Sequence, residues 1–221
     1  GLLKEQRPFR PNEKTARGGL GRLIGPNSEL TLEDIARVMI NMSENTATNM
    51  LIDEVGMDNV NALTTAIGLK TMRLQRRMLE SDRQAADMEN VASVADAANL
   101  MMRIALCDLP VSPDSCRRVR DILEIPQPPH PGKDPIPSDI PVAFKWGGLE
   151  GVSAAWAIVD LPDRPYVFAI MTTYGTDNAM AVRASSALAY SYYSRLARAN
   201  SYGSRIPLSA VQKARGADDQ K

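Results

Sequence analysis

Ser43-Glu44-Asn45-Thr46-Ala47-Thr48-Asn49 lies between two helical patterns, and its reading decides the fold. Ahead of it, Leu32, Ile35, Ala36, Met39 and Ile40 recur at helical spacing within 31–42. Thr31 is a good N-cap, and Glu33 and Asp34 fall in the first turn, where the helix dipole favours carboxylates. Behind it, a second helix starts near Thr46, carries Met50, Leu51 and Val55, and can end at Gly56 as a C-cap. Taken alone, Ser43 reads as a helix cap and Asn45 as a turn residue. A second stretch changes that reading. Val142-Ala143-Phe144-Lys145-Trp146-Gly147-Gly148 opens a strand pattern, and its lysine stands 102 positions after Ser43.

Together the two stretches resemble the S-D-N and K-T-G elements of the penicillin-recognising serine hydrolases. Flanking residues extend the resemblance: Ile122-Leu123-Glu124-Ile125-Pro126 before the second stretch, and Gly151 to Val159 after it. It covers roughly Leu2 to Ala199 and is nearest to the class A β-lactamase-like branch. The third element of that family, S-x-x-K, supplies the nucleophile, and no serine of this sequence has lysine three positions later. Ser209 comes nearest, with Lys213 four positions on. The sequence therefore reads as the C-terminal portion of such an enzyme. The nucleophile, a first helix and two sheet strands are expected upstream of Gly1.

The resemblance implies an acyl-enzyme mechanism on a β-lactam or related amide. Ser43 would relay a proton to the leaving nitrogen, because a hydroxyl can both donate and accept. Asn45 would hold the nucleophile's lysine and the substrate amide with the two faces of its carboxamide. Glu44 replaces the usual aspartate and keeps its charge. Lys145 would anchor a substrate carboxylate, although a strand lysine without the motif reads as a solvated edge residue. Ser43, Asn45 and Lys145 would then be within reach of one bound substrate. Trp146 stands where the family has threonine or serine, so its indole either walls the cleft or points away from it. Gly147 and Gly148 suit close approach of substrate to backbone. A deacylation base belongs between 69 and 90, where Glu80 and Glu89 are the candidates; each also reads as a solvated loop carboxylate.

The rest of the chain fits an α+β architecture: a helical block followed by an antiparallel sheet flanked by helices. Leu2, Leu3 and Phe9 suggest a short strand, with Gly18, Gly19, Gly21, Gly25 and Pro26 marking loops. A third helix covers 58–67. A polar stretch, 69–90, reads as a long surface loop. Helices follow near 93–105, capped by Ser93 with Asp96 three residues on, and near 113–125. Seven prolines between 126 and 141 exclude helix and central strand. Strands are expected at 142–145, 152–160 and 166–173, with Gly147-Gly148 and Pro162-Asp163 as connections short enough for hairpins. A helix over 178–199 and a polar tail from Gly203 complete the chain. Two regions result: 1–135, mainly helical, with the S-E-N stretch and the polar loop; and 136–221, with three strands and the C-terminal helix.

Composition narrows the functional classes. The 221 residues carry 26 basic and 26 acidic side chains, which leaves no electrostatic footprint for nucleic acid. No run approaches the ~20 apolar residues of a membrane span. His130, the single histidine, leaves no material for a Ser-His-Asp triad or a histidine metal site, and no cofactor or metal is expected. Cys107 and Cys116 read more readily as buried thiols than as a disulfide. The expected partners are a small-molecule substrate and the N-terminal segment of the same protein. The family resemblance implies a periplasmic or secreted location. Alternatives are a non-catalytic binding relative, a D-alanyl-D-alanine peptidase-like protein, and, last, a helical interaction module that would leave sheet edges open.

Overall fold

The computed structural model describes residues 2–11, 23–25, 28–206 and 210. Gly1, Gly18, Gly19, Gly21, Pro26, Ser209 and Lys213 lie outside the described residues. The chain divides into two compact units, Gly1–Pro128 and Pro129–Lys221.

The first unit is built on helices. A 3-10 turn, Leu2–Lys4, occupies the place expected to hold a strand. The strand β1 is Gln6–Pro8, and it pairs antiparallel with β2, Glu29–Thr31. β2 was not legible in the sequence, because three residues are too few to show a period. Helix α1, Leu32–Met42, starts where expected, with the Asp34 amide donating to the Thr31 hydroxyl at 3.1 Å. Helices α2, Asn45–Val55, and α3, Met57–Ala66, follow. Gly56 closes α2 with φ 80, a left-handed conformation open to glycine, and donates its amide to the Ile52 carbonyl. Phe9, Leu32, Ile35 and Ala47 form a core that joins β1's end to α1 and α2.

The polar loop contains one short helix, α4, Ser81–Ala85. Helices α5, Val94–Leu106, and α6, Pro113–Glu124, pack on each other, and α6 also packs on α1. Ser93 caps α5 as expected. The Asp96 carboxylate does not return to the cap, however; it is buried and accepts from the amides of Thr71 and Met72. Cys107 and Cys116 are joined by a disulfide, with Cα atoms 5.8 Å apart. This corrects the expectation of two thiols: Cys107 ends α5 in a left-handed turn that brings it to the first turns of α6.

The second unit is a three-stranded antiparallel sheet, ordered β3-β4-β5, with a long helix on one face. β3 is Val142–Leu149, β4 Val152–Val159 and β5 Tyr166–Thr173. β3 runs four residues past its expected end. Gly147 and Gly148 pair with Ala154 and Ser153 inside the ladder, so the hairpin turns at Glu150-Gly151 instead. Helix α7, Asn178–Leu196, packs on β4 and β5. The core combines Val142, Phe144, Ala155, Ala157, Val159 and Val182. Gly132 in the proline-rich segment touches this core so closely that a Cβ would lie 2.9 Å from the Ala155 Cβ. Its carbonyl accepts from the buried Ser186 hydroxyl at 2.8 Å. Among the described residues, β5 pairs only with β4. Its outer edge runs eight residues without a charge.

Candidate active-site residues

The S-E-N stretch forms the joint between α1 and α2. Ser43 ends α1 in the left-handed region, φ 50 and ψ 40, a conformation that residues with a Cβ seldom adopt. This sharp break leaves the Ser43 side chain exposed on the outside of the joint. The cap of α2 is not Ser43 but Glu44. Its side chain is almost fully buried and its Oε1 accepts from the Thr46 amide at 3.2 Å. Asn45 is then the first helical residue and is half-buried.

One turn further on, Asn49 fixes the polar loop to α2. It is buried, donates to the Met78 carbonyl at 3.2 Å and accepts from the Met78 amide at 2.7 Å. Sequence reasoning missed this residue. The available signal was an asparagine on the same helical face as Asn45, four positions later, among apolar neighbours. Thr46, Asn49, Met50 and Asp53 make a stripe along α2. With Leu32 and Ile35 of α1 they line a cavity of about 420 Å³. The Thr46 hydroxyl is buried there without a hydrogen-bond partner.

The polar loop is pinned on either side of 81–87, which are exposed. Arg73 and Val91 exchange backbone bonds. Asn90 accepts from the amides of Gln75 and Arg76 and donates to the Arg76 carbonyl. The guanidinium of Arg76, a nearly buried side chain, holds the Glu89 carboxylate at 2.6 Å. That hydrogen-bonded cation keeps the Glu89 carboxyl below the usual carboxylate range. Glu80 accepts from the Arg77 amide, three positions earlier, at 2.9 Å. Both carboxylates were expected to be solvated, and each has a defined protein partner.

In the second unit, strand alternation sorts the K-W-G-G residues. Phe144 and Trp146 point to the α7 side of the sheet, where Trp146 packs against the core and stacks on His130 with ring centroids 5.0 Å apart. The indole substitution is thus supported structurally by the single histidine, whose Nδ1 accepts from the Gly132 amide. Burial holds the His130 pKa below its ordinary value, which keeps that nitrogen an acceptor. Alternation starts the Lys145 side chain on the opposite face, in register with Trp156, but its ammonium lies 5.7 Å from the centroid of the Trp146 ring. Its ammonium donates to the Trp146 carbonyl, and burial lowers its pKa to about 8. Gly147 and Gly148 are exposed, and a Cβ built on Gly147 would meet nothing within 4 Å. Packing therefore does not require that glycine, and the strand offers bare backbone at this point.

The model of a family described as the beta-lactamase enzyme family matches residues 2–196. No curated protein matches the sequence. Among solved structures, the β-lactamase from Sphaerobacter thermophilus DSM 20745 shares 28% identity and superposes with a TM-score of 0.75. The match covers 86% of this chain and 74% of that one. PBP-A is 25% identical at a TM-score of 0.74, covering 87% of this chain and 72% of that one. A mutant of PBP-A, 26% identical with a TM-score of 0.72 over the same shares, is an acyl-enzyme complex with penicillin G. A class A β-lactamase from Mycobacterium abscessus shares the fold at 18% identity, with a TM-score of 0.74 over 88% and 76% of the two chains.

Proposed function

The chain belongs to the β-lactamase enzyme family, matched over residues 2–196, and within it we propose acyl transfer on a β-lactam or related amide by way of an acyl-enzyme. The observation that carries this reading is the joint of α1 and α2. There a strained, exposed Ser43 and the helix-starting Asn45 occupy the motif positions inside the matched region. Ser43 relays the proton to the leaving nitrogen. Asn45 positions the nucleophile's lysine and the substrate amide. Lys145 anchors the substrate carboxylate, and Gly147 and Gly148 let the substrate lie against β3. The acyl-enzyme of the PBP-A mutant with penicillin G is the chemistry expected here.

The nucleophile comes from a Ser-x-x-Lys segment that this sequence does not contain. Two features support a segment of the same protein as its source: the cavity along α2 with its unpaired Thr46 hydroxyl, and the uncharged outer edge of β5. The disulfide supports a periplasmic or secreted location, where such bonds persist. A second reading is favoured by the loop, where both candidate bases are engaged, Glu89 by the Arg76 guanidinium and Glu80 by the Arg77 amide. Slow deacylation, as in a peptidase-like enzyme, follows if neither serves.

Intact mass after benzylpenicillin treatment tests the proposal. The chain alone should gain no mass. Joined ahead of Leu2 to a segment that carries Ser-x-x-Lys, it should gain one penicilloyl group per molecule. An adduct on the chain alone, or none on the joined protein once folded, contradicts the proposal.

A further inference from the structure

We propose that His130 is a positioning residue for Lys145, acting through Trp146, and that it loosens its hold when it is protonated. The inference rests on the reading of Lys145 as the group that anchors the substrate carboxylate. The half-buried imidazole lies against the two residues of β3 that flank Lys145. Its centroid is 5.2 Å from that of Phe144, with the planes tilted by 55°. It is 5.0 Å from that of Trp146, where the rings stack at 24°. Trp146 in turn holds the cation twice. Its carbonyl accepts from the Lys145 ammonium, and its ring centroid lies 5.7 Å from that ammonium. Displacing the indole takes away one of these holds and widens the swing of the ammonium, so that less of it is in place when a carboxylate arrives.

The stack depends on a neutral imidazole. His130 opens a tight turn, in which its carbonyl accepts from the Lys133 and Asp134 amides at 2.8 and 2.9 Å. Its own amide donates to the Asp134 carboxylate at 3.0 Å. Its Nδ1 accepts from the amide of buried Gly132 at 3.1 Å. Gly132 is fixed from behind: its carbonyl is bonded to Ser186 of α7, and a Cβ on it would stand 2.9 Å from Ala155 and 3.3 Å from Phe144. A proton on Nδ1 sets donor against donor. An imidazolium gains something from an indole face, but a buried amide deprived of its acceptor costs more. The charged groups around the ring are Lys133 and Asp134 of its own turn, Lys145 of β3 and Arg183 of α7. Arg183 is already paired with Asp134 at 3.1 Å. Burial pushes the His130 pKa down, Asp134 pushes it up, and Lys145 pushes it down again. With the folded value below the free one, acid favours any state that releases the ring.

The composition of the chain makes the test clean: His130 is its only histidine, and Trp156→Phe leaves Trp146 as its only indole. The His130 Cε1–H resonance should titrate with a midpoint below the ~6.5 of a free histidine. Trp146 fluorescence, read in Trp156→Phe, should change with the same midpoint. Lys145→Met removes a like charge and should raise that midpoint. Benzylpenicillin dissociation constants, from ligand-observed NMR titration, should rise about threefold from about pH 7 to about pH 5, within the worth of a partly exposed ion pair. His130→Phe keeps a ring against Trp146 without the proton and should bind to a similar degree at both values. His130→Ala should bind weakly at both. Melting temperatures establish that the variants are folded, and the Lys145→Met titration decides the matter if His130→Phe is not. A midpoint unmoved in Lys145→Met, or an acid loss that persists in His130→Phe, overturns this inference and leaves the function standing. Failure of the unaltered chain to bind benzylpenicillin at about pH 7 overturns the function and this inference with it.

Discussion

The α1–α2 joint and strand β3 present their motif residues by different physical means. The joint depends on singular groups: a left-handed Ser43, a buried Glu44 folded back onto its own helix, and an Asn49 that ties the loop down. Each acts once, and no neighbour repeats it. β3 depends on a ladder, in which eight register pairs with β4 share the work of placing Lys145. Motifs held by singular contacts fail when one contact is lost, whereas a ladder absorbs change. This explains how Trp146 can stand in a position where the family has a hydroxyl: alternation delivers its side chain to the core, and His130 accepts it.

The contrast can be broken most forcefully at the disulfide. Reducing Cys107–Cys116 should destabilise the first unit by about 3 kcal/mol. Urea denaturation with and without reductant measures this. Hydrogen exchange should quicken in α5 and α6 and stay unchanged in β3 and β4; equal quickening in both units would refute the separation. Next in size is Asn49→Leu, which leaves the Met78 amide and carbonyl without partners and should cost about 2 kcal/mol. Limited proteolysis should then cut within 69–92 sooner. A loss below about 0.5 kcal/mol would show that the loop holds itself.

Trp146→Thr sharpens the comparison from the other side. It restores the family's hydroxyl and removes the stack on His130, at a cost of about 1 kcal/mol because the ladder remains. A cost larger than that of Asn49→Leu would reverse the argument. The last effect is electrostatic. The Lys145 pKa is lowered to about 8 from 10.5 by burial, so between these values the unfolded chain holds the proton that the folded chain has lost. Stability should therefore rise with pH from about 8 to 10.5. Benzylpenicillin binding should fall through pH 8 as the cation that anchors the carboxylate is lost. Lys145→Met should abolish both trends, measured by melting curves and NMR titration.

The long elements were legible because periodicity carries them. The apolar spacing of α1, the prolines before β3 and the apolar run of β4 each point to one answer. What escaped was set by partners distant in sequence. β2 exists because Leu30 pairs with Arg7, and no local pattern announces that. Gly147 and Gly148 read as breakers until Ala154 and Ser153 continue the ladder across from them. The disulfide depended on the left-handed turn at Cys107, which spacing alone does not reveal. In the candidate site, the positions of Ser43, Asn45 and Lys145 were readable as motif residues. That Glu44 caps the helix, and that Asn49 and Arg76 pin the loop, required the folded chain. The Glu44 bond is local but uses a residue type that is not a preferred cap, and the other two are long-range hydrogen bonds made by residue types common in any loop.

The central claim is that the joint and the strand serve one reaction, and a double-mutant cycle on acylation tests it most directly. The chain joined to a Ser-x-x-Lys segment is compared with its Ser43→Ala, Lys145→Ala and doubly substituted forms, using the second-order rate of penicilloyl formation from benzylpenicillin. Each single change should slow acylation by about a hundredfold or more, and the double should be far less damaging than the product of the two. Fully multiplicative losses, or a single change without effect, would contradict the account.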